Sequence, residues 1–240
     1  MKILPATIDD LENIIKWLRE EIEQNHAGFW DCRNVIEDAF RDRELYVIRH
    51  KNKAVAFQTG KYSSNLVCVK QDMQNKGFGK ALFKQSLKWA IEDDVTYLKE
   101  ECSPHTSLPF WEKMGFNRYD ENKNHKIMVR RTVPKTFSIQ PGSNKVGIVI
   151  SLCSESEEIP FETHRILGAQ CPDGNIQLPE RIIGYAIVDH EQQEDLVVKI
   201  EVAGKEIYFD KAKYSEAKSI GFKEGHNRYT FYIDQIILEQ

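Results

Sequence analysis

Long apolar runs are missing from this sequence: no hydrophobic stretch approaches the roughly 20 residues that span a bilayer. The opening residues also lack the basic-then-apolar pattern of a secretion signal. Cysteine is sparse and unpaired. The five thiols, at positions 32, 68, 102, 153 and 171, include no Cys-x-x-Cys pair, and their number is odd. A disulfide framework is not expected, whereas reduced thiols in a cytoplasmic setting are. Cys153, His164 and Cys171 lie close enough in sequence to suggest zinc. A fourth ligand at ordinary spacing is missing, so no metal is expected. There is no excess of positive charge either. The net charge is −4 and the isoelectric point about 6.0, so no global basic field invites nucleic acid. Internal repeats and low-complexity tracts are absent.

What is present suffices for packed cores. Hydrophobic residues make up 41% of 240, which fits one large domain or two modest ones. Charge is uneven. Residues 1–133 hold 22 Lys and Arg against 20 Asp and Glu, and residues 134–240 hold 11 against 17. A boundary is expected near Arg130-Arg131-Thr132-Val133-Pro134. The acidic half could dock a cationic substrate or simply be solvated.

The most informative stretch runs from Val67 to Phe83. Val67-Cys68-Val69 reads as a buried strand. A polar turn leads into Gln74-x-x-Gly77-x-Gly79. Ala81, Leu82, Phe83, Leu87, Trp89 and Ala90 then follow a helical face, with Lys80, Lys84 and Lys88 between them. The motif therefore lies where a strand hands over to a helix N-terminus. There the first amides lack intrahelical partners and the helix dipole favours an anion. Glycine admits close approach and unusual backbone angles, and successive amides can cradle phosphate oxygens. Lys76 and Lys80 add positive charge. The spacing fits neither a Rossmann fingerprint nor a P-loop.

Upstream, Met1 to Ala6 reads as a strand, and Thr7 as the cap of a helix with an apolar stripe of Leu11, Ile14, Ile15, Leu18 and Ile22. Gly28, Phe29 and Trp30 break the pattern and either pack on the core or line a pocket. Asn34 to Arg43 reads as a second helix. Glu44 to Arg49 and Ala54 to Thr59 read as a hairpin, with Lys61 to Asn65 as the next turn. Val95 to Cys102 reads as a strand, followed by Ser103-Pro104-His105-Thr106-Ser107-Leu108-Pro109.

Gln74-x-x-Gly77-x-Gly79 resembles the acetyl-CoA signature of the GNAT superfamily of N-acyltransferases, Arg/Gln-x-x-Gly-x-Gly/Ala. Phe110-Trp111-Glu112-Lys113-Met114-Gly115-Phe116 resembles its second signature, Phe-Tyr-x-Lys-x-Gly-Phe. The opening strand followed by Ala6-Thr7-x-Asp9-Asp10-Leu11 resembles the start of such domains. The resemblance covers residues 1–133. It implies an α/β (α+β) fold, a mixed sheet with two splayed central strands, here Leu66–Val69 and Tyr97–Cys102. It implies acetyl-CoA as co-substrate, its pantetheine paired with the main chain of Val67, Cys68 and Val69. The diphosphate would lie on amides of Gln74, Asn75, Lys76, Gly77, Phe78, Gly79 and Lys80, with Trp111 packing or covering the CoA arm. The implied reaction is N-acetyl transfer to a primary amine by direct attack in a ternary complex, needing placement, an oxyanion donor and proton removal.

The catalytic positions depart from the family pattern. Its frequent tyrosine acid is Trp111, whose indole cannot usefully protonate a thiolate. The asparagine after the second splayed strand is replaced by the Cys102 to His105 region, and a glutamate upstream of the first by Ser63-Ser64-Asn65. Glu101, Ser103 and His105 remain as catalytic candidates, with Glu100 and Ser107 beside them. Thr106 or Ser107 ahead of Pro109 equally reads as helix capping. Cys68 and Cys102 as nucleophiles are disfavoured by burial. Two other readings stay open: a CoA-binding sensor or recruitment module with weak chemistry, and an acetylating toxin acting on charged tRNA. The acceptor could be a small molecule or a protein, and no membrane partner is expected.

Residues 134–240 resemble no family and read as a smaller, mostly antiparallel β domain. Val146 to Leu152, Ile182 to Val188, Leu196 to Val202, Glu206 to Phe209 and Tyr229 to Leu238 read as strands. Ala203-Gly204-Lys205 reads as a hairpin turn, Ala212 to Ile220 as a short helix, and Glu155 to Glu180 as a long loop. This domain could select the acceptor, bind a protein or mediate self-association. Lys223, His226, Arg228, Tyr229, Phe231 and Tyr232 form an aromatic-basic cluster, but acidic surroundings argue against nucleic acid.

Overall fold

The computed structural model describes the chain except residues 25–27, 63–65, 122–126, 140–141, 156–158, 189–192, 226–229 and 239–240. It divides into two compact units, Met1–Val133 and Pro134–Gln240.

The N-terminal unit runs β1 (Ile3–Pro5), α1 (Ile8–Glu23), α2 (Arg33–Arg41), β2 (Leu45–His50), β3 (Lys53–Thr59), β4 (Leu66–Val69), α3 (Phe78–Glu92), β5 (Tyr97–Glu101), α4 (Leu108–Lys113), β6 (Asn117–Glu121) and β7 (Ile127–Thr132). The order β1-β2-β3-β4 makes one antiparallel sheet, and β5-β7-β6 a second. Lys51 and Asn52 both take positive φ, 50° and 62°, which matches a two-residue hairpin turn between β2 and β3. From Ala54 to Thr59 every residue of β3 is buried. Helices explain this: Phe57 packs with Ile14, Leu18 and Ile36 of α1 and α2, and Ala56 with Phe78 and Leu82 of α3. A strand covered on both faces shows no polar alternation.

The start of α1 is closed by a reciprocal cap, Thr7 N–H donating to Asp10 Oδ2 at 2.8 Å while Asp10 N–H points back to the Thr7 hydroxyl. Arg49 Nε donates to Asp10 Oδ1 at 2.8 Å, fixing the helix to β2. The buried stripe differs from the expected one. Asp10, Ile14, Trp17, Leu18 and Glu21 face inward, and Ile22 is 40% exposed. The bulky Trp17, seated against Phe57, turns the helix toward that side. Residues 117–133, which the GNAT resemblance implies as one closing strand, hold a pair, β6 and β7. The expected strand neighbours β4 and β5 sit in separate sheets without a shared ladder, as splayed strands do.

The C-terminal unit runs β8 (Lys145–Ser154), β9 (Glu162–Gln170), β10 (Ile176–Tyr185), β11 (Ile187–Val188), β12 (Gln193–Glu194), β13 (Leu196–Val202), β14 (Lys205–Lys211), α5 (Ser215–Ser219), β15 (Phe222–Glu224) and β16 (Thr230–Ile236). Seven strands form an antiparallel sheet in the order β14-β13-β8-β9-β10-β16-β15, burying Ile148, Ile150, Leu178, Val198, Ile200 and Ile233. The long loop expected over 155–180 is instead largely β9 and the start of β10. Polar residues on β9 hid its pairing with β8, which extends from Lys145↔Ala169 to Leu152↔Glu162. Pro179 does not break β10, because the β10–β16 register shifts between Gln177 and Ile182. His226, Arg228 and Tyr229 of the expected aromatic-basic cluster lie outside the described residues. Among the described residues no helix is long and apolar enough to cross a membrane.

Candidate functional site

Among the described residues β4 is the edge of its sheet and pairs with β3 alone, so the main-chain groups on its other side are not committed to a described strand. Its side chains are committed. Cys68 packs toward the α1–α2 cluster, while Val67 and Val69 pack toward α3. Ligand pairing here would therefore use backbone rather than side chains. Burial, followed by the Glu21 carboxylate, pushes the Cys68 thiol up. Such a thiol is a poor nucleophile.

After β4, Gln71–Met73 make one tight turn and Gln74 bends back. Gln74 Nε2 donates to Val69 O at 3.3 Å and to Gln71 Oε1 at 3.2 Å. Lys76 Nζ donates to Asp72 O at 2.8 Å, folding its charge onto the same loop. Gly77 caps α3 with φ of 86°, a left-handed value that favours glycine. The first intrahelical bond is Ala81 N–H to Gly77 O, 3.0 Å. The amides of Phe78, Gly79 and Lys80 precede it, at the helix end that attracts anions. Gly79 has a separate cause. A side chain there would begin 3.3 Å from the Phe110 ring and 3.7 Å from Val69 Cγ2, so its smallness lets α4 pack close.

Two expected ligand residues bury their side chains. The Phe78 side chain is buried with Ile48, Val55 and Leu82, which leaves its amide for binding. Trp111 is 5% exposed and edge-on to Phe110 and Phe116, with ring centroids 4.9 and 5.1 Å away. It is a core residue rather than a cover for the CoA arm, because α4 turns it toward Phe83 and Phe116.

The catalytic candidates run from the last residue of β5 into the turn after it. Glu101, Ser103 and His105 are all exposed, His105 opening a short turn ahead of α4. Glu100 alternates to the opposite face and is buried there, next to Cys102. Burial pushes the Cys102 thiol up, with the Ser107 hydroxyl opposing the shift. The counterpart segment 63–65 lies outside the described residues. The sequence reading passed over Glu21, which is 7% exposed and accepts a 2.6 Å hydrogen bond from Gln71 N–H. Its spacing of four from Trp17 and seven from Ile14 was the available signal. It also passed over Gln58 and Ser86, whose buried side chains bond at 2.9 Å and join β3 to α3. An open groove beside β14 is lined by Glu206, Tyr208, Phe209, Asp210, Tyr214 and Glu216, and gathers no nucleophile and base. Among the described residues no three His, Cys, Asp or Glu are grouped as metal ligands.

Residues 41–118, which hold β4, the loop, α3 and the exposed stretch, match a family model described as an acetyltransferase (GNAT) domain. That match covers about a third of the chain and is to a GNAT acetyltransferase domain. No curated protein matches the chain. Among solved structures, it is similar to Ard1 from Thermoplasma volcanium at 19% identity and a TM-score of 0.42, covering 55% of this chain and 97% of that one. PaiA N-acetyltransferase from Thermoplasma acidophilum, in complex with coenzyme A, shows 13% identity and a TM-score of 0.46, with 55% and 98% covered. N-acetylglutamate synthase from Neisseria gonorrhoeae, complexed with coenzyme A and N-acetyl-glutamate, shows 15% and 0.43, with 55% and 35% covered. The GNAT match spans the glycine loop and the exposed stretch. It leaves the C-terminal unit unassigned.

Proposed function

We propose that the N-terminal unit is an N-acetyltransferase that moves an acetyl group from acetyl-CoA to a primary amine. The observation that carries this is the left-handed Gly77, which opens α3 beside the unpaired edge of β4. The edge offers main chain to an extended arm, and the helix start offers amides to a diphosphate. The thioester supplies an activated carbonyl. The amine loses a proton, forms the new C–N bond, and the C–S bond breaks with the sulfur leaving as thiol. Glu101 and His105 are exposed where a relay for that proton is wanted, and Ser103 is a donor for the leaving sulfur. The acceptor is a small molecule or a protein amine, and the setting is cytoplasmic.

A second reading is favoured by one observation. Trp111 sits in the core where the resemblance has a tyrosine acid, which suits a CoA-binding module with little turnover. Calorimetry with CoA, and thiol release from acetyl-CoA over a panel of amines, peptides and aminoglycosides, separate the two. Binding with turnover supports the transferase, and binding without turnover on the panel favours the module. Absence of CoA heat, or Gly77→Glu and Gly79→Glu variants that still bind, would sink both.

A further inference from the structure

Glu21 occupies a costly position. It lies in the last turn of α1, where the helix dipole disfavours an anion, and no basic residue shares that turn. Its carboxylate is also buried, which disfavours charge again. Oε1 accepts from the main-chain N–H of Gln71 at 2.6 Å, across 50 residues of sequence. Oε2 points toward Gly28, 3.7 Å from where a side chain on that glycine would begin.

Gln71 is the first residue of the turn that leads from β4 to α3. From Val69 to Lys76 this loop is bonded mainly to itself, through Gln74 to Val69 O, Gln74 to Gln71 Oε1 and Lys76 to Asp72 O. Two main-chain donors tie it outward: Lys70 N–H to Val55 O at 2.9 Å, and Gln71 N–H to Glu21. Beside the packing of Met73 against the α3 cluster, these outward ties set where the loop sits. The Glu21 contact, at 2.6 Å against 2.9 Å, is the shorter of the two.

We propose that Glu21 is a positioning residue for the CoA loop. Its carboxylate holds Gln71, and with it the loop from Lys70 to Gly77, where the amides of Phe78 to Lys80 meet the diphosphate. α1 thereby couples to donor binding, although no residue of it reaches the glycine motif in sequence. The inference rests on the CoA reading above.

The test is CoA affinity by calorimetry in the full chain, well below the melting temperature, for five proteins beside the unaltered one. Glu21→Leu removes the acceptor and weakens CoA about tenfold. Glu21→Gln keeps an oxygen for Gln71 N–H and binds within about threefold of the unaltered chain, the rescue that separates position from charge. Gln71→Pro removes the donor from the other side, and Gln71→Ala, which also loses the Oε1 acceptor of Gln74 but keeps the N–H, is its control. Lys70, with ψ of 135°, already has the extended backbone that precedes proline, and the first position of a turn accepts it. The double variant Glu21→Leu with Gln71→Pro is no weaker than the worse single variant, because the bond between Glu21 and Gln71 is already lost in each single variant. If Glu21→Leu does not fold, Gln71→Pro and Glu21→Gln still decide. Unchanged affinity in Gln71→Pro, full loss in Glu21→Gln, or simple additivity overturns the inference while CoA binding by the unaltered chain stands. No binding by the unaltered chain overturns the CoA reading itself and this inference with it.

Discussion

The ring of Phe110 lies 3.3 Å from the point where Gly79 would carry a side chain. The second glycine of the motif thus serves helix packing, whereas the first serves backbone conformation. Gly77→Ala meets no atom closer than Met1 Cε at 3.8 Å, so its cost is backbone strain, about 1 kcal/mol. Gly79→Ala pushes against Phe110 and costs about 1 kcal/mol through packing. Urea unfolding of both, each combined with Phe110→Leu, checks the assignment. Relief by Phe110→Leu is expected for Gly79→Ala and not for Gly77→Ala.

Asp10 gives the N-terminal unit an acid-sensitive link. Burial raises its pKa, but hydrogen bonds from Arg49, Thr7 N–H and the Thr7 hydroxyl outweigh it, and the net direction is down from 3.8. A depressed folded value stabilises above the unfolded value and is lost as pH falls through the folded one. Asp10→Ala is expected to cost about 3 kcal/mol at pH 7, since it strands Arg49 and opens the helix cap. The difference from the unaltered chain should shrink as pH drops below 3.8. Denaturant melts at pH 7 and pH 3 measure this, and a constant difference would contradict it.

In the C-terminal unit, Arg181 forms a two-point ion pair with Asp234, both contacts 2.7 Å, under the Tyr232 ring at 4.0 Å. The Arg181 side chain is almost fully buried. Lysine matches neither the fork nor the stacking. Arg181→Lys should therefore destabilise this unit by about 2 kcal/mol despite keeping the charge. Thermal unfolding followed at the tyrosines of residues 134–240 reads the loss, and an unshifted transition would refute it.

Three thiols should be quiet in the native chain. Burial pushes Cys68, Cys102 and Cys153 up, lowering their thiolate fraction near pH 8. Titration with a thiol reagent is expected to show slow reaction at these three and full reaction of all five in denaturant. Fast labelling of Cys68, identified by peptide mapping, would contradict the packing described for β4.

Local chemistry was readable in the sequence. The cap at Thr7, the polar turn between β2 and β3, and the strand, turn and helix from Leu66 to Glu92 each depend on neighbours within a few positions. Side-chain type and backbone preference fix them before any distant contact forms. Tertiary structure decided what faces what. It turned Glu21 inward and Ile22 outward, seated Trp111 among Phe110 and Phe116, and paired β9 with β8 although β9 carries Glu162, His164 and Arg165. Each of these outcomes is set by partners far along the chain, where one large ring or one adjacent strand outweighs the local pattern.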